Sequence, residues 1–175
     1  MVTANDTYTY NQAAKPYVPK QPNITGPVIT LRLGPEGDVR HVGNVLAPLI
    51  APSGDFTEAE KQFYKWERQM VGDTEWPGPR LNPVEGTRLI DNLWRDFKSS
   101  SPPNVYFFLE SAEQQPDFAW AGNREIWLPY KGQFAHYLLH ELGHCLSGPE
   151  HDEQLKDCLV VLRQRWDKWR LSRNI

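Results

Sequence analysis

Cysteine and long apolar segments are scarce in this sequence of 175 residues, and each scarcity excludes a class of protein. The two cysteines, Cys145 and Cys158, are too few for a disulfide scaffold, so we expect buried, reduced thiols. No segment approaches the roughly 18 apolar residues that a membrane-spanning helix requires. The N-terminal residues combine neither a basic start nor an apolar core, so we expect no signal peptide and no membrane partner.

The chain also has no excess of basic residues: it contains 19 Lys and Arg residues and 22 Asp and Glu residues, which gives a net charge of −3. Such a chain has no large positive field to hold a nucleic-acid backbone, so a nucleic-acid partner is unsupported. Hydrophobic residues make up 39% and charged residues 23%, which is typical of a globular protein. The length favours one domain, which we place at residues 28–175.

Proline, by contrast, is frequent near the N-terminus. Pro16, Pro19, Pro22 and Pro27 prevent a helix and interrupt strand pairing, so residues 1–27 are predicted to form an extended Pro-rich arm. We expect this arm to dock either on its own domain or on a protein partner.

Hydrophobic periodicity then predicts strands and helices in a mixed order along the chain. Strands are predicted at 28–33, 104–110 and 124–129, with a further extended piece around 42–50. Helices are predicted at 57–71, after the capping-box pair Thr57 and Glu60, and from Pro83 to near Lys98. Two more are predicted at 133–146 and from about Glu150 to Leu171, on either side of a Gly-Pro break. The expected fold class is α+β, with a small mixed sheet packed on about four helices.

The predicted third helix contains the five-residue motif HELGH, residues 140–144. His140 and His144 are one helical turn apart and share a face, so their imidazoles can hold one zinc ion. Glu141 is offset by about 100° and can reach a water on the ion without ligating it, which suits a general base. The alternative is a chance match on an amphipathic helix. The surrounding apolar residues and the preceding strand favour the metal site.

A third protein ligand is needed, because catalytic zinc usually takes three and leaves one position open. His136 lies a further turn back and is too far along the helix to converge with the other two, and His41 receives no role. The segment after the Gly-Pro break supplies the candidates, which we rank His151, then Asp152, then Glu153. His151 leads because it shares the predicted inward face of the fourth helix. Alternatively, the acidic residues here only complement the helix dipole.

HELGH followed by GPEHDEQL resembles the zincin metallopeptidases. HELGHCLSGPEH has one residue more than the metzincin pattern, and Met1 and Met70 supply no downstream Met-turn. The closer resemblance is to compact zincins of the SprT-like and ImmA-like kind, including small putative metallopeptidases of bacteria and their phages. It covers about residues 104–165, with Ser147 where the SprT-like triplet has histidine. It implies a minimal zincin-like core, His140 and His144 as ligands, and Glu141 as base.

Together these patterns predict a zinc-dependent metallopeptidase acting on a peptide or protein substrate, in the cytoplasm or in a phage particle. The strand REIWLP, 124–129, is expected to offer its edge to an extended peptide beside the zinc. Tyr130 and Tyr137 are candidates for stabilising the oxyanion. The alternative is a structural or assembly protein, such as a virion component, that retains the fold and possibly the zinc. A zinc hydrolase acting on another kind of substrate is a third possibility.

Overall fold

The computed structural model describes residues 27–33, 39–46, 56–72, 75–98, 100–109, 119–122 and 124–172. The predicted arm lies outside these ranges except for Pro27, which begins the first strand. The elements, in chain order, are β1 (Pro27–Leu33), β2 (Val39–Leu46), α1 (Glu58–Val71), α2 (Pro83–Phe97), β3 (Asn104–Phe108), β4 (Trp120–Gly122), β5 (Glu125–Leu128), α3 (Ala135–Ser147) and α4 (Glu153–Ser172). The predicted α+β class, with a small mixed sheet and four helices, is confirmed.

The sheet is mixed because one of its four strand pairings is parallel. The strands lie in the order β2-β1-β3-β5-β4, and β3 pairs with β5 in parallel while the other neighbours are antiparallel. Alternate residues of β3 and β5 point into the core, including Val105 and Ile126, which are partners in the register. On the opposite face, the rings of Tyr106 and Trp127 stack with their centroids 4.0 Å apart. The sheet therefore packs its core face against the helices.

Two of the helices begin at complete capping boxes, of which the sequence pattern predicted the one at Thr57 and Glu60. The Thr57 side chain accepts from the Glu60 backbone N–H, and the Glu60 carboxylate accepts from Thr57 in return. Asn82 and Glu85 make the same reciprocal pair before α2. Each box satisfies backbone donors that the first helical turn leaves without an intrahelical partner.

The third and fourth helices pack closely because the HELGH motif contains a glycine. A Cβ atom at Gly143 would lie 2.8 Å from Leu155 Cδ1 and 3.0 Å from Leu159 Cδ2. Both leucines are almost fully buried in the core. The α3 helix ends at Gly148, whose φ of 125° is strained for any residue with a side chain. Gly143 and Gly148 thus set where the chain turns back after the motif.

A segment before α2 holds the beginning of α3 in place. The Ala135 backbone N–H donates to the Pro79 carbonyl, and the His136 N–H donates to the Pro77 carbonyl. These bonds satisfy donors in the first turn of α3, where no side chain caps the helix. Among the described residues, no helix has the length and apolar character needed to cross a membrane.

Candidate metal centre

The two histidines of the HELGH motif meet on one face of α3. Their Nε2 atoms lie 3.1 Å apart, and the two ring planes are nearly perpendicular. His140 is buried, while His144 is partly accessible. One helical turn separates the residues, so this approach follows directly from the i, i+4 spacing.

A third histidine reaches the same point from the loop that joins α3 to α4. The side chain of His151 brings a ring nitrogen to within 4.8 Å of those of His140 and His144. The predicted helical position of His151 is wrong, because α4 begins only at Glu153. Asp152 precedes that first turn and accepts from the Leu155 backbone N–H at 3.0 Å, so His151 stays outside the helix.

Oxygen acceptors fix the outer nitrogens of two of the rings. Nδ1 of His140 lies 2.9 Å from Oε2 of Glu67, and Nδ1 of His144 lies 2.9 Å from the Gly148 carbonyl oxygen. A carbonyl or carboxylate oxygen only accepts, so each Nδ1 carries a hydrogen. In the neutral rings both Nε2 atoms are then left with lone pairs that point at one another. Such lone pairs repel unless a proton or a metal cation lies between them.

Of the three histidines, His140 is the one that the surrounding charges favour in the doubly protonated, cationic form. Burial alone would lower the pKa of His140, but the charge and hydrogen bond of Glu67 and the charge of Glu141 raise it to about 9. Burial, aided by the charge on His140, lowers the pKa of His144 to about 3 and that of His151 to about 4. His144 and His151 are therefore neutral near pH 7, which is the form that binds metals.

The first helix contributes a wall of the site that the sequence patterns did not reveal. Glu60, Tyr64 and Glu67 follow one another at i, i+4 and i+7 on α1, and all three approach the histidines. The Tyr64 hydroxyl lies 3.2 Å from Nε2 of His151, and Oε1 of Glu60 lies 4.0 Å from Nδ1 of the same ring. The sequence signal that could have indicated this wall is the row of polar residues on α1 beside its apolar face.

Apolar packing holds that wall against the histidines. Phe63 lies between the polar residues of α1 and meets the rings of His140 and His151 edge-on, with centroids 5.9 Å and 5.0 Å apart. The Tyr64 ring lies 5.3 Å from each of the same two imidazoles. These aromatic contacts fix the orientation of the His140 and His151 rings.

Glu141 is buried beside the cluster and bonded to the sheet. It is 7% exposed, and its carboxylate accepts from the Ala121 backbone N–H in β4. Burial, followed by the negative charge of Glu67, raises the pKa of Glu141 to about 7, against the opposing effects of His140 and the Ala121 N–H. A carboxyl group whose pKa is near 7 can both take up and release a proton at neutral pH.

The edge strand beside the motif is β4, and the prediction that REIWLP forms this edge is wrong. Residues Glu125–Leu128 form β5, which is paired with β3 on one side and with β4 on the other. The added strand, Trp120–Gly122, is only three residues long and joins β5 through a turn in which Arg124 has a φ of 61°. Its sequence, Trp-Ala-Gly, has too little β-forming character to be detected by periodicity.

The lower-ranked ligand candidates point elsewhere. The Asp152 carboxylate caps α4, and the exposed Glu153 carboxylate pairs with Lys156 at 2.6 Å. Neither residue belongs to the group of donors that the structure brings together among the described residues, which consists of His140, His144 and His151.

The remaining histidines and tyrosines considered from the sequence also lie apart from this group. His136 stacks on Trp76 and receives a hydrogen bond from Arg163, and Tyr137 contacts Trp76 as well. Tyr130 is 40% exposed, and the guanidinium of Arg80 lies over its ring. His41 belongs to β2, and its side chain lies outside the described part of the chain.

Comparison with known proteins adds no relative to this picture: no family model, curated protein or solved structure matches the chain.

Proposed function

We propose that the protein is a zinc-dependent metallopeptidase whose ligands are His140, His144 and His151 and whose general base is Glu141. The observation that carries the proposal is the convergence of three imidazoles, two of which have outer nitrogens bonded to oxygen acceptors, with a buried glutamate one residue after the first ligand. Three protein ligands with one open position are typical of catalytic zinc.

The residues present fit zinc in donor type; His144 and His151 are already in the neutral form that binds a metal, and His140 would lose its added proton on binding. Two donors bound to one tetrahedral ion at about 2.0–2.1 Å are separated by about 3.3 Å, close to the 3.1 Å between His140 Nε2 and His144 Nε2. The separations involving His151 extend to as much as 4.8 Å, so its ring would move inward on binding. Its position in a loop, outside α4, permits that movement.

The proposed zinc ligands and Glu141 have different roles in hydrolysis. A zinc ion held by His140, His144 and His151 would supply a water of lowered pKa and would polarise the substrate carbonyl. Glu141 takes the proton of the attacking water and later delivers it to the leaving amine. Burial keeps the Glu141 carboxylate from being solvated, and the Ala121 N–H orients it. The rings of Phe63 and Tyr64 pack against the imidazole of His140.

An extended peptide would add to the sheet along β4. Among the described residues this strand pairs only with β5, and its Ala121 N–H donates to the Glu141 carboxylate. Main-chain pairing of this kind binds a peptide largely independently of its sequence. A substrate strand would thus be placed directly beside Glu141.

The decisive experiment compares the metal content and peptidase activity of four purified proteins. The wild type should hold about one zinc per chain, and the double variant His140→Ala/His144→Ala should hold almost none. Glu141→Gln should keep the zinc yet lose about 10²–10⁴-fold in turnover of a peptide library, because the amide cannot accept a proton. Glu150→Gln, an exposed acid in the same region, is the matched control and should behave as the wild type. Zinc retained by the double variant would overturn the ligand assignment.

A structural or assembly role is the second candidate, because His140 and Glu141 are only 4% and 7% exposed. A site so well covered suits an ion that holds α3, the following loop and α1 together. In such a role, for instance as a virion component, the protein would bind zinc and lose stability when the zinc is chelated. No form of the protein would cleave a peptide.

A further inference from the structure

The hydroxyl group of Tyr64 lies at the proposed metal site although Tyr64 comes from a helix remote in sequence. It is 3.2 Å from Nε2 of His151, and the two residues are 87 positions apart. The Tyr64 ring also lies against His140, tilted by 31° to its plane. The phenol is therefore placed among the imidazoles rather than beside only one of them.

The orientation of His151 indicates which of its nitrogens faces inward. Its Nδ1 side is turned toward the Glu60 carboxylate at 4.0 Å, as Nδ1 of His140 is turned toward Glu67. By this shared arrangement Nε2 is the inward atom of His151, as it is in His140 and His144. The Tyr64 hydroxyl is thus close to an inward-facing nitrogen.

The separation of these atoms is that of two donors around one ion. Neighbouring donors of a tetrahedral zinc site lie about 3.3 Å apart. The distance from Tyr64 Oη to His151 Nε2 is 3.2 Å, and the distance between the two motif nitrogens is 3.1 Å. A phenol oxygen can accept or donate while the site holds only protons, and it can supply an electron pair to a metal.

We propose that the Tyr64 hydroxyl is the fourth group facing the metal, completing a site of three imidazoles and one phenol oxygen. On coordination the oxygen supplies an electron pair and its proton passes to solvent, so no other reactant is needed. The inference rests on the proposed metal centre. It also deepens the proposed function, because a substrate or water can reach the ion only when Tyr64 gives up this position.

The experiment uses copper(II) as an optical probe in the full-length protein. A phenol oxygen bound to copper(II) gives a visible charge-transfer band, whereas imidazoles alone do not. The wild type should take up about one copper per chain and develop this band, with tyrosinate vibrations in its resonance Raman spectrum. Tyr64→Phe should still bind copper through its histidines but lack the band, and its zinc affinity should fall by at least about 10-fold.

Tyr130→Phe is the matched control, since Tyr130 is exposed and lies apart from the three histidines. It should retain the band and the zinc affinity of the wild type. Copper bound by the wild type without a band, or a band that persists in Tyr64→Phe, would overturn the inference and leave the three-histidine centre intact. Failure of the wild type to bind either metal would overturn the centre and the inference together. Absence of the band in the copper-loaded wild type overturns the inference whether or not the variant folds, and copper still bound by Tyr64→Phe shows that its histidine site has formed.

Discussion

The carboxylate of Glu67 and the imidazole of His140 lie 2.9 Å apart, and 73 residues of sequence separate them. Their side chains are only 3% and 5% exposed. Removing two such polar groups from water is costly, and attraction between them does not always offset that cost. A carboxylate that fixes the tautomer and orientation of a metal-binding histidine gives such a pair a functional reason. This relationship connects α1 to the proposed metal centre.

Replacing Glu67 should therefore weaken zinc binding without removing any ligand. Glu67→Ala leaves Nδ1 of His140 without its acceptor, and we expect a loss of about 10- to 100-fold in zinc affinity. Glu67→Gln should lose less, because the amide oxygen still accepts from Nδ1. Competition with a chelating dye measures both constants.

Glu58→Ala is the control for this pair of variants, because Glu58 is an exposed acid on the same helix. Equal zinc affinity for Glu67→Ala and Glu58→Ala would show that the buried pair serves folding alone. A larger loss of zinc affinity in Glu67→Gln than in Glu67→Ala would contradict the proposed hydrogen bond to His140.

Local sequence signals located most of the elements that carry the site. Capping boxes at Thr57 and Asn82 mark the starts of α1 and α2 because the boxes depend on residues three positions apart. The meeting of His140 and His144 follows from one helical turn. Each of these features depends on a short stretch of chain, which is what periodicity and spacing can describe.

Features that depend on distant packing could not be predicted in the same way. The edge strand β4 exists because Ala121 pairs with Ile126, while its own sequence carries almost no signal. The approach of Glu67 and Tyr64 to the histidines requires knowing which face of α1 meets α3. The helical position predicted for His151 is wrong, because the cap at Asp152 starts α4 later than the hydrophobic pattern indicates, while the preference for imidazole as a zinc donor does not depend on that position.

Among the residues after the Gly-Pro break, His151 should be the one whose loss most affects zinc. Removing an imidazole ligand should weaken binding by more than the roughly 10- to 100-fold typical of outer partners. Asp152→Ala should lose the cap of α4, costing about 1 kcal/mol of stability, with little effect on zinc. Glu153→Ala should change neither. The measurement is a zinc titration of the three variants in one buffer against a competing chelator. Near-normal affinity in His151→Ala, with a loss in an acidic variant, would make the site a two-histidine, one-carboxylate centre.

Gly143→Ala should destabilise the fold although alanine favours helices. The exchange gains about 0.5–1 kcal/mol of helix propensity, but the new Cβ would lie 2.8 Å from a methyl group of the buried Leu155. Overpacking of this kind costs about 1–3 kcal/mol, so we expect a net loss of roughly 1 kcal/mol. Urea unfolding of the chelator-treated protein measures it. An unchanged or higher midpoint would mean that α4 can shift away freely, which the tight packing of Leu155 and Leu159 argues against.

His136 is buried outside the proposed metal centre, and its ring faces a cation. Arg163 of α4 donates to its Nε2 at 2.6 Å and also pairs with Glu75, while Trp76 stacks on the ring at 5.6 Å. Burial, followed by the charge of Arg163, lowers the pKa of His136 to about 4, with Glu75 opposing and Arg170 adding to the effect. The folded protein thus binds fewer protons than the unfolded chain between that pKa and the ordinary histidine pKa of 6.5.

Stability from this residue is therefore present above the unfolded pKa and is lost as the pH falls toward the folded value. Between about pH 7 and pH 5 the wild type should lose about 2 kcal/mol of unfolding free energy through His136. His136→Gln keeps an acceptor for Arg163 but does not titrate, so its pH dependence should be shallower by that amount. Urea unfolding of both proteins across this range, with chelator present to remove bound metal, measures the difference. The other titrating groups are common to the two proteins and cancel, so parallel curves would mean that His136 has the same pKa in the folded and the unfolded protein and that Arg163 does not hold it neutral.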